Sequence, residues 1–294
     1  MSDTIVIGGY AAQDLGRKIA RHLRSEYASL VVDHFPDGEF RIRYPKKVDG
    51  KTVILVESLR NPNDKIVEVI FAAYTAKDLG AKKVFLVAPY MPYLRQDKRF
   101  HPGECVSNAI LGKMFHVFDF ILTVDPHLHR VKSLRGLFRT RVKHISANRL
   151  IADYIKKNLE NPVIIGPDEE SYQWAKTVAK YINSHAIILK KKRYNSRSVR
   201  IKIKEDVDFK NSSVVLVDDI ISSGHTMMET VKEAKKHGAK KIYCMCVHAI
   251  LADNADKKLK KLGIKGLVAT NSVPSPYSRI DLSGTLAEEL KKVL

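Results

Sequence analysis

The chain repeats itself. Val53-Ile-Leu-Val-Glu57-Ser58 leads through a segment with apolar residues at helical spacing (Ile66, Val69, Ile70, Ala73) to Gly80-Ala-Lys-Lys-Val84, and Val214-Val-Leu-Val-Asp218-Asp219 leads the same way to Gly238-Ala-Lys-Lys-Ile242. Upstream, Ile5-Val6-Ile7-Gly8 has its counterpart in Val163-Ile164-Ile165-Gly166. Gly8 and Gly166 lie 158 residues apart, as do Gly80 and Gly238, whereas Val53 and Val214 lie 161 apart, so the connecting segments differ in length. Any two βαβ units share a coarse pattern, but a four-residue identity in matching context points to duplication.

Such a repeat restricts the fold. Short β-branched runs (Ile5–Ile7, Thr52–Val56, Val84–Val87, Phe120–Val124, Val163–Ile165, Ala186–Leu189, Val214–Val217, Ile242–Val247) alternate with helical spacing, which predicts α/β architecture with parallel sheets covered on both faces. At roughly 150 residues per domain, 294 residues make two domains. The copies meet near residues 143–150, giving expected domains 1–146 and 147–294, with a terminal helix from Ser283 packing back onto the first half.

Composition narrows the class. With 45% hydrophobic residues the chain can bury a sizeable core, and 51 Lys+Arg against 32 Asp+Glu leave +19, a balance that draws polyanions such as nucleic acid, acidic membrane or phosphorylated small molecules. Three cysteines are too few for a disulfide framework and suit a reducing compartment. No apolar stretch approaches the ~20 residues of a membrane span and no secretory signal opens the chain, so a soluble cytoplasmic protein with no membrane partner is expected.

The copies differ where chemistry would sit. In open α/β sheets ligands bind beyond the carboxyl ends of strands. There the second copy reads Asp218-Asp219-Ile-Ile-Ser222-Ser223-Gly224-His225-Thr226, while the first reads Glu57-Ser58-Leu59-Arg60-Asn61-Pro62, without glycine and with fewer hydroxyls. Small residues opening a helix make a phosphate cradle, because free N–H groups, a positive dipole end and hydroxyl donors converge there. Two carboxylates before it suit sugar hydroxyls or a metal. An ordinary capped helix after a strand is the bland alternative.

This loop resembles the ribose-5-phosphate loop of the phosphoribosyltransferase fold. Together with Phe35-Pro-Asp37-Gly38-Glu39, Arg95-Gln96-Asp97-Lys-Arg-Phe100, Asp125-Pro-His127, the basic stretch 190–193 and the duplication, the chain from about residue 5 to 275 resembles the ribose-phosphate diphosphokinase (PRPP synthetase) family. The resemblance implies two phosphoribosyltransferase-like domains and transfer of the β,γ-diphosphoryl group of Mg-ATP to O1 of ribose 5-phosphate, releasing AMP. It also implies a homo-oligomer, at least a dimer, in which Phe35, Asp37, Gly38 and Glu39 reach a neighbouring subunit's ATP site. Arg95, Gln96 and Asp97 would bind ATP, and Asp218, Asp219, Ser222, Ser223, Gly224, His225 and Thr226 the ribose 5-phosphate. Lys191 and Arg193 would clasp the phosphates during transfer, Arg193 also touching the sugar phosphate. Lys190 and Lys192 compete with Lys191 for that role, and a solvated basic hairpin is the plain reading of residues 190–204, with eight basic residues and no acid. His127 and Asp168 would help hold Mg²⁺, with His129 a rival; Mg²⁺ prefers oxygen, so His is an unusual direct ligand.

Neither a P-loop nor GxGxxG occurs, so neither of those glycine loops holds ATP. Cys244-Met-Cys246 with His248 alternates in an apolar strand and reads as core, not zinc. Three features depart from the family pattern: His225 replaces a glycine, with a strain cost if the position needs φ > 0; Glu169 and Glu170 add charge to a loop usually carrying glycine; and Cys105 is a milder change. A phosphoribosyltransferase would need one domain and no ATP motifs. A non-catalytic paralogue binding partners or nucleic acid fits the charge, but every charged catalytic position is filled, which argues against nucleic acid as a partner.

Overall fold

A computed structural model describes residues 3–128, 133–168, 171–195, 198–203 and 209–294, and over 188–203 its backbone alone. Contacts divide the chain into two units, residues 1–145 with 272–274 and 282–294, and residues 146–271 with 275–281.

The first unit runs β1 (Thr4–Gly8), α1 (Gln13–Leu23), β2 (Glu26–Ser29), β3 (Val31–His34), β4 (Phe40–Arg43), β5 (Thr52–Val56), α2 (Pro62–Asp78), β6 (Lys83–Ala88), α3 (Ser107–Met114), β7 (Phe120–Val124) and β8 (Arg141–Ile145). Its six-stranded sheet is wholly parallel, in the order β2-β1-β5-β6-β7-β8, and β3–β4 forms a separate antiparallel hairpin. The second unit runs α4 (Asn148–Asn158), β9 (Pro162–Gly166), α5 (Ser171–Tyr181), β10 (Ala186–Asn195), β11 (Ser198–Ile203), β12 (Ser213–Ile221), α6 (His225–Lys236), β13 (Lys241–Ala249), α7 (Ala255–Lys261), β14 (Gly266–Thr270) and β15 (Ser278–Ile280). Its sheet, β11-β10-β9-β12-β13-β14-β15, is parallel except for the β10–β11 pair. Strands such as β5, β6 and β7 read as unbroken apolar runs because helices cover both faces.

Pairing register repeats as well as sequence. Ile7 stands opposite Leu55 and Ile165 opposite Leu216, so Glu57 and Asp218 follow equivalent strand positions. In both sheets the order reverses between these two strands, β1/β5 and β9/β12, which is the topological switch point where open sheets bind ligands. In each unit an antiparallel pair, β3–β4 or β10–β11, precedes the return strand; the segment Gly166 to Val214 is three residues longer than Gly8 to Val53, and Val214 to Gly238 three shorter than Val53 to Gly80.

Three differences from the sequence reading have clear causes. β12 does not stop at Val217: parallel pairing with β13 continues through Asp218↔Cys246 to Ile221↔Ala249, so both aspartates lie within the strand. β10 continues from Leu189 through the basic run, because antiparallel pairing with β11 supplies its ladder bonds. The domain boundary is the third: the terminal helix α8 (Ser283–Lys291) packs back onto the first half as expected, on α1 with Leu286, Ala287 and Leu290 buried and joined by a Lys143–Glu289 ion pair, and is part of the first unit. The second unit therefore ends at Asp281 instead of 294. Cys244, Cys246 and His248 are buried in β13, and burial pushes both thiols up.

Candidate active site

In the second unit, Asp219 is buried and Asp218 half-buried at the carboxyl end of β12. Each carboxylate accepts from the next main-chain N–H, Asp219 N to Asp218 Oδ1 at 3.0 Å and Ile220 N to Asp219 Oδ1 at 2.8 Å. Burial raises the Asp218 carboxyl well above its ordinary range, and the charges of Asp219 and Asp168 raise it further. Asp168, in the turn after β9, caps α5: its Oδ1 accepts from Ser171 N–H at 3.0 Å and from the Ser171 hydroxyl at 3.0 Å. The negative charges of Asp219 and Asp168 thus bear on Asp218 across the β9/β12 switch point. Among the described residues no group of three or more His, Cys, Asp or Glu side chains is placed to hold a metal ion.

The loop beyond β12 has the geometry of an anion cradle. Gly224 takes φ 72°, ψ 8° as the residue before α6, a left-handed conformation that glycine adopts without penalty, and no side chain caps the turn. A Cβ at Gly224 would come within 3.1 Å of Ala255 Cβ. Ser222 and Thr226 are half-buried, and Ser223 and His225 are exposed around the helix start. His225 is the first residue of α6 and is not among the positive-φ residues, so the strain expected of histidine there does not arise; the left-handed position is Gly224. The equivalent loop of the first unit is closed: Leu59 is in the core, the Ser58 hydroxyl donates to Ser272 O at 2.7 Å, and Pro62 opens α2 without an N–H.

Lys191 and Arg193 lie on β10, opposite Ile201 and Val199 of β11, with Lys190 and Lys192 at the alternating positions opposite Lys202 and Arg200. The basic stretch is therefore a β-hairpin arm, continuous with a strand of the sheet. Glu169, Glu170 and His129 lie outside the described residues.

In the first unit Phe35-Pro-Asp37-Gly38-Glu39 is the tip of the β3–β4 hairpin. Phe35 N–H donates to Glu39 O at 2.7 Å, Gly38 N–H to Phe35 O at 3.0 Å, and Glu39 N–H to Asp37 Oδ1 at 3.0 Å, with Gly38 at φ 93°. The tip is held from within, so Phe35 (46% exposed), Asp37 and Glu39 stay presented to solvent. Arg95 is exposed, and Gln96 and Asp97 are half-buried in the segment after β6. Ser107 Oγ donates to Gln96 Oε1 at 3.0 Å, and Glu104 Oε2 accepts from the Phe100 and His101 N–H groups at 2.8 and 3.1 Å and from Gln96 Nε2 at 3.5 Å. These partners fix which way the Gln96 amide faces, and the eight-residue gap between Gln96 and Glu104 has no periodicity to announce them. Cys105 is exposed beside the same amide.

His127 is half-buried after β7, following Asp125, whose φ of 32° is unusual for a non-glycine residue and whose N–H is tied to Ile145 O at 2.9 Å. The sequence reading passed over one group, Glu57. It is 2% exposed at the end of β5, and burial raises its carboxyl to about 7 despite nearby Lys65. Its alignment with Asp218 in the repeat is the signal that could have found it.

Residues 4–118 match a family profile described as the N-terminal domain of ribose phosphate pyrophosphokinase, and residues 139–277 match the phosphoribosyl transferase domain. The chain is 36% identical over 293 residues to a ribose-phosphate pyrophosphokinase of Methanopyrus kandleri, covering 98% of this chain and 99% of the relative. It is 33% identical to one of Methanobrevibacter smithii, covering 98% and 100%. The fold superposes with a TM-score of 0.85 on phosphoribosylpyrophosphate synthetase from Mycobacterium smegmatis, at 24% identity and 99% coverage of both chains. By length, order of domains and identity, the chain belongs to the ribose-phosphate pyrophosphokinase family.

Proposed function

We propose that this chain is a working ribose-phosphate diphosphokinase: O1 of ribose 5-phosphate attacks the β-phosphorus of ATP, a diphosphoryl group is transferred, and AMP leaves. The observation that carries the reading is the second unit's switch point, where an uncapped glycine-led helix start stands beyond a strand bearing Asp218 and Asp219. A phosphate accepts from the first N–H groups of α6 and from the hydroxyls of Ser222, Ser223 and Thr226, while Asp218 and Asp219 accept from ribose hydroxyls. Such a transfer is promoted by positioning and by neutralising phosphate charge, the work assigned to Lys191 and Arg193. Gln96, its amide direction fixed by Ser107 and Glu104, reads adenine, and Arg95 faces the phosphates.

Mg²⁺ is the cofactor that suits this chemistry, supplying charge neutralisation on the ATP phosphates when bound. Asp168 would hold it with substrate oxygens, and His127 would act on its bound water or phosphate. The elevated Asp218 carboxyl supports a cation there, because a divalent charge relieves the repulsion among the three acids.

A homo-oligomer fits the exposed apolar residues of the first unit. Val67, Phe71 and Tyr74 on α2 and Ile110 and Met114 on α3 are all exposed, beside a cavity of about 350 Å³ lined partly by Val67, Tyr93 and Ile110. Phe40 packs on Phe71 with ring centroids 5.4 Å apart, so the Phe35 hairpin rises from the edge of this face. A cytoplasmic location agrees with the free cysteines, and no helix among the described residues is long and apolar enough to cross a membrane.

The test is product analysis with ribose 5-phosphate, ATP and Mg²⁺. AMP and PRPP in equal amounts are expected; ADP, or no turnover, overturns the reading.

A further inference from the structure

The duplication supplies its own comparison at the end of each sheet that faces away from the substrates. Parallel strands set their amino ends opposite the carboxyl ends that carry the site, and the helices running back between strands, α2 and α6, finish on that side. Equivalent positions there carry different charge in the two units. In the first, Lys77 lies in the last turn of α2, with Nζ 3.8 Å from the carboxylate of Asp119, the residue before β7, whose N–H donates to Val84 O at 2.9 Å. In the second, the residue before β14 is Lys265, its N–H donating to Ile242 O at 2.7 Å, and Lys77 is matched at the same offset of 158 by Lys235. Two lysines thus stand where the first unit has an ion pair. Asp78, the last residue of α2, is likewise matched by Lys236, the last of α6.

No described acid of the second unit takes the place of Asp119. Lys235 Nζ leans over the turn after α7, 3.2 Å from where a Gly263 Cβ would stand, two residues before Lys265. Lys235, Lys236, Lys240, Lys241 and Lys265 are all exposed, and so are the four lysines of α7. Glu233 pairs with Lys236 at 3.0 Å and with His237 at 3.7 Å, which leaves Lys235, Lys240, Lys241 and Lys265 without an ion-pair partner among the described residues. Glu160, an exposed acid ahead of β9, is three strands away from β14. Lysines that serve only solubility gain nothing from being gathered where their copies are neutralised, because like charges repel.

We infer that this face of the second unit, from Lys240 and Lys241 across Lys235 to Lys265, is a docking surface for the phosphate backbone of duplex nucleic acid. Lys241 starts β13 and Lys265 precedes β14, neighbouring strands about 4.8 Å apart, so their charges are spaced closely enough to meet a duplex, with its one negative charge per about 1.7 Å of axis. Ammonium groups hold phosphates as point charges and read no bases, so binding is independent of sequence. No large apolar side chain of α6 or α7 is exposed, so the face lacks both the aromatic platforms of single-strand binders and the apolar anchors of a membrane-surface helix. Filled catalytic positions do not oppose such a partner, because the two lie at opposite ends of one sheet.

Fluorescence anisotropy of the full chain with a labelled DNA duplex of mixed sequence tests it. Log Kd should rise with log salt at a slope of about 3 or more, alike for a second, unrelated sequence. Lys265→Asp, which restores the charge arrangement of the first unit, should weaken binding at least about tenfold and lower that slope. The double variant Lys240→Gln, Lys241→Gln should weaken it less, and it decides the matter if Lys265→Asp does not fold. Saturating ATP and ribose 5-phosphate should leave the duplex bound. Displacement by those substrates, wild-type affinity in both variants, a slope near zero, or equally tight binding to phosphatidylserine vesicles would each overturn the inference.

Discussion

Glu57 and Asp218 stand at one register position of two sheets, and burial lifts both carboxyls. What surrounds each differs: Asp218 faces Asp219 and Asp168, whereas Glu57 has Lys65 and a main-chain N–H. The Glu57 shift has a thermodynamic consequence of definite sign. Its folded value, about 7, exceeds the ordinary 4.5, so between these pH values the folded chain holds more protons than the unfolded one. Stability contributed by this group is full below about 4.5, declines as pH rises toward about 7, and does not return above it. Glu57→Gln removes the titration, and should stabilise the chain at pH 8 relative to wild type by up to about 3 kcal/mol while changing little at pH 4.5. Urea denaturation at the two pH values measures it; an equal effect at both contradicts the assignment.

Two short elements carry the proposed chemistry, the Gly224 turn and the β10–β11 arm. Gly224→Ala places a Cβ in the left-handed region and 3.1 Å from Ala255 Cβ, a change expected to cost about 1–2 kcal/mol of stability. It should also weaken ribose 5-phosphate binding more than ATP binding, as titration calorimetry can separate. In the basic arm, Lys191 and Arg193 are two residues apart on one strand, with Lys190 and Lys192 alternating. Lys191→Ala is expected to lower kcat by about 100-fold or more, the scale of losing one preorganised transition-state donor, with Lys190→Ala much milder. An unchanged rate in Lys191→Ala would remove that residue from the mechanism.

At the scale of the whole molecule, exposed apolar side chains are distributed unevenly. Among the described residues Phe71, Tyr74, Ile110 and Met114 are exposed on α2 and α3, while Tyr181 is the large exposed apolar residue of the second unit. Phe71→Glu should shift sedimentation toward the monomer and raise KM for ATP several-fold, since the adjacent hairpin that presents Phe35 acts on a neighbour in the proposed reading. An oligomer of unchanged mass, or unchanged KM in a monomer, would separate the hairpin from that role. The surplus of +19 is spread over both units, and much of it lies in runs such as Lys257-Lys258 and Lys260-Lys261 of α7, away from the strand ends.

The amino-acid sequence by itself determined the α/β class, the duplication and the position of the Ser-Ser-Gly loop proposed to bind phosphate, because β-branched runs, helical spacing and that turn are local patterns that need no partner to be recognised. It also contained the equivalence of Glu57 and Asp218, legible once the copies were aligned. Strands β2, β3, β4, β8, β14 and β15 were missed, since short strands owe their pairing to a neighbour rather than to propensity. Only the tertiary structure decided that β12 carries its aspartates inside the sheet and that β10 extends through a lysine run. It likewise decided that Glu104 orients Gln96 and that Glu57 is buried with one oxygen unpaired. Each of these depends on which groups lie across a ladder or beneath a turn, and burial and hydrogen bonding are set by neighbours distant in sequence.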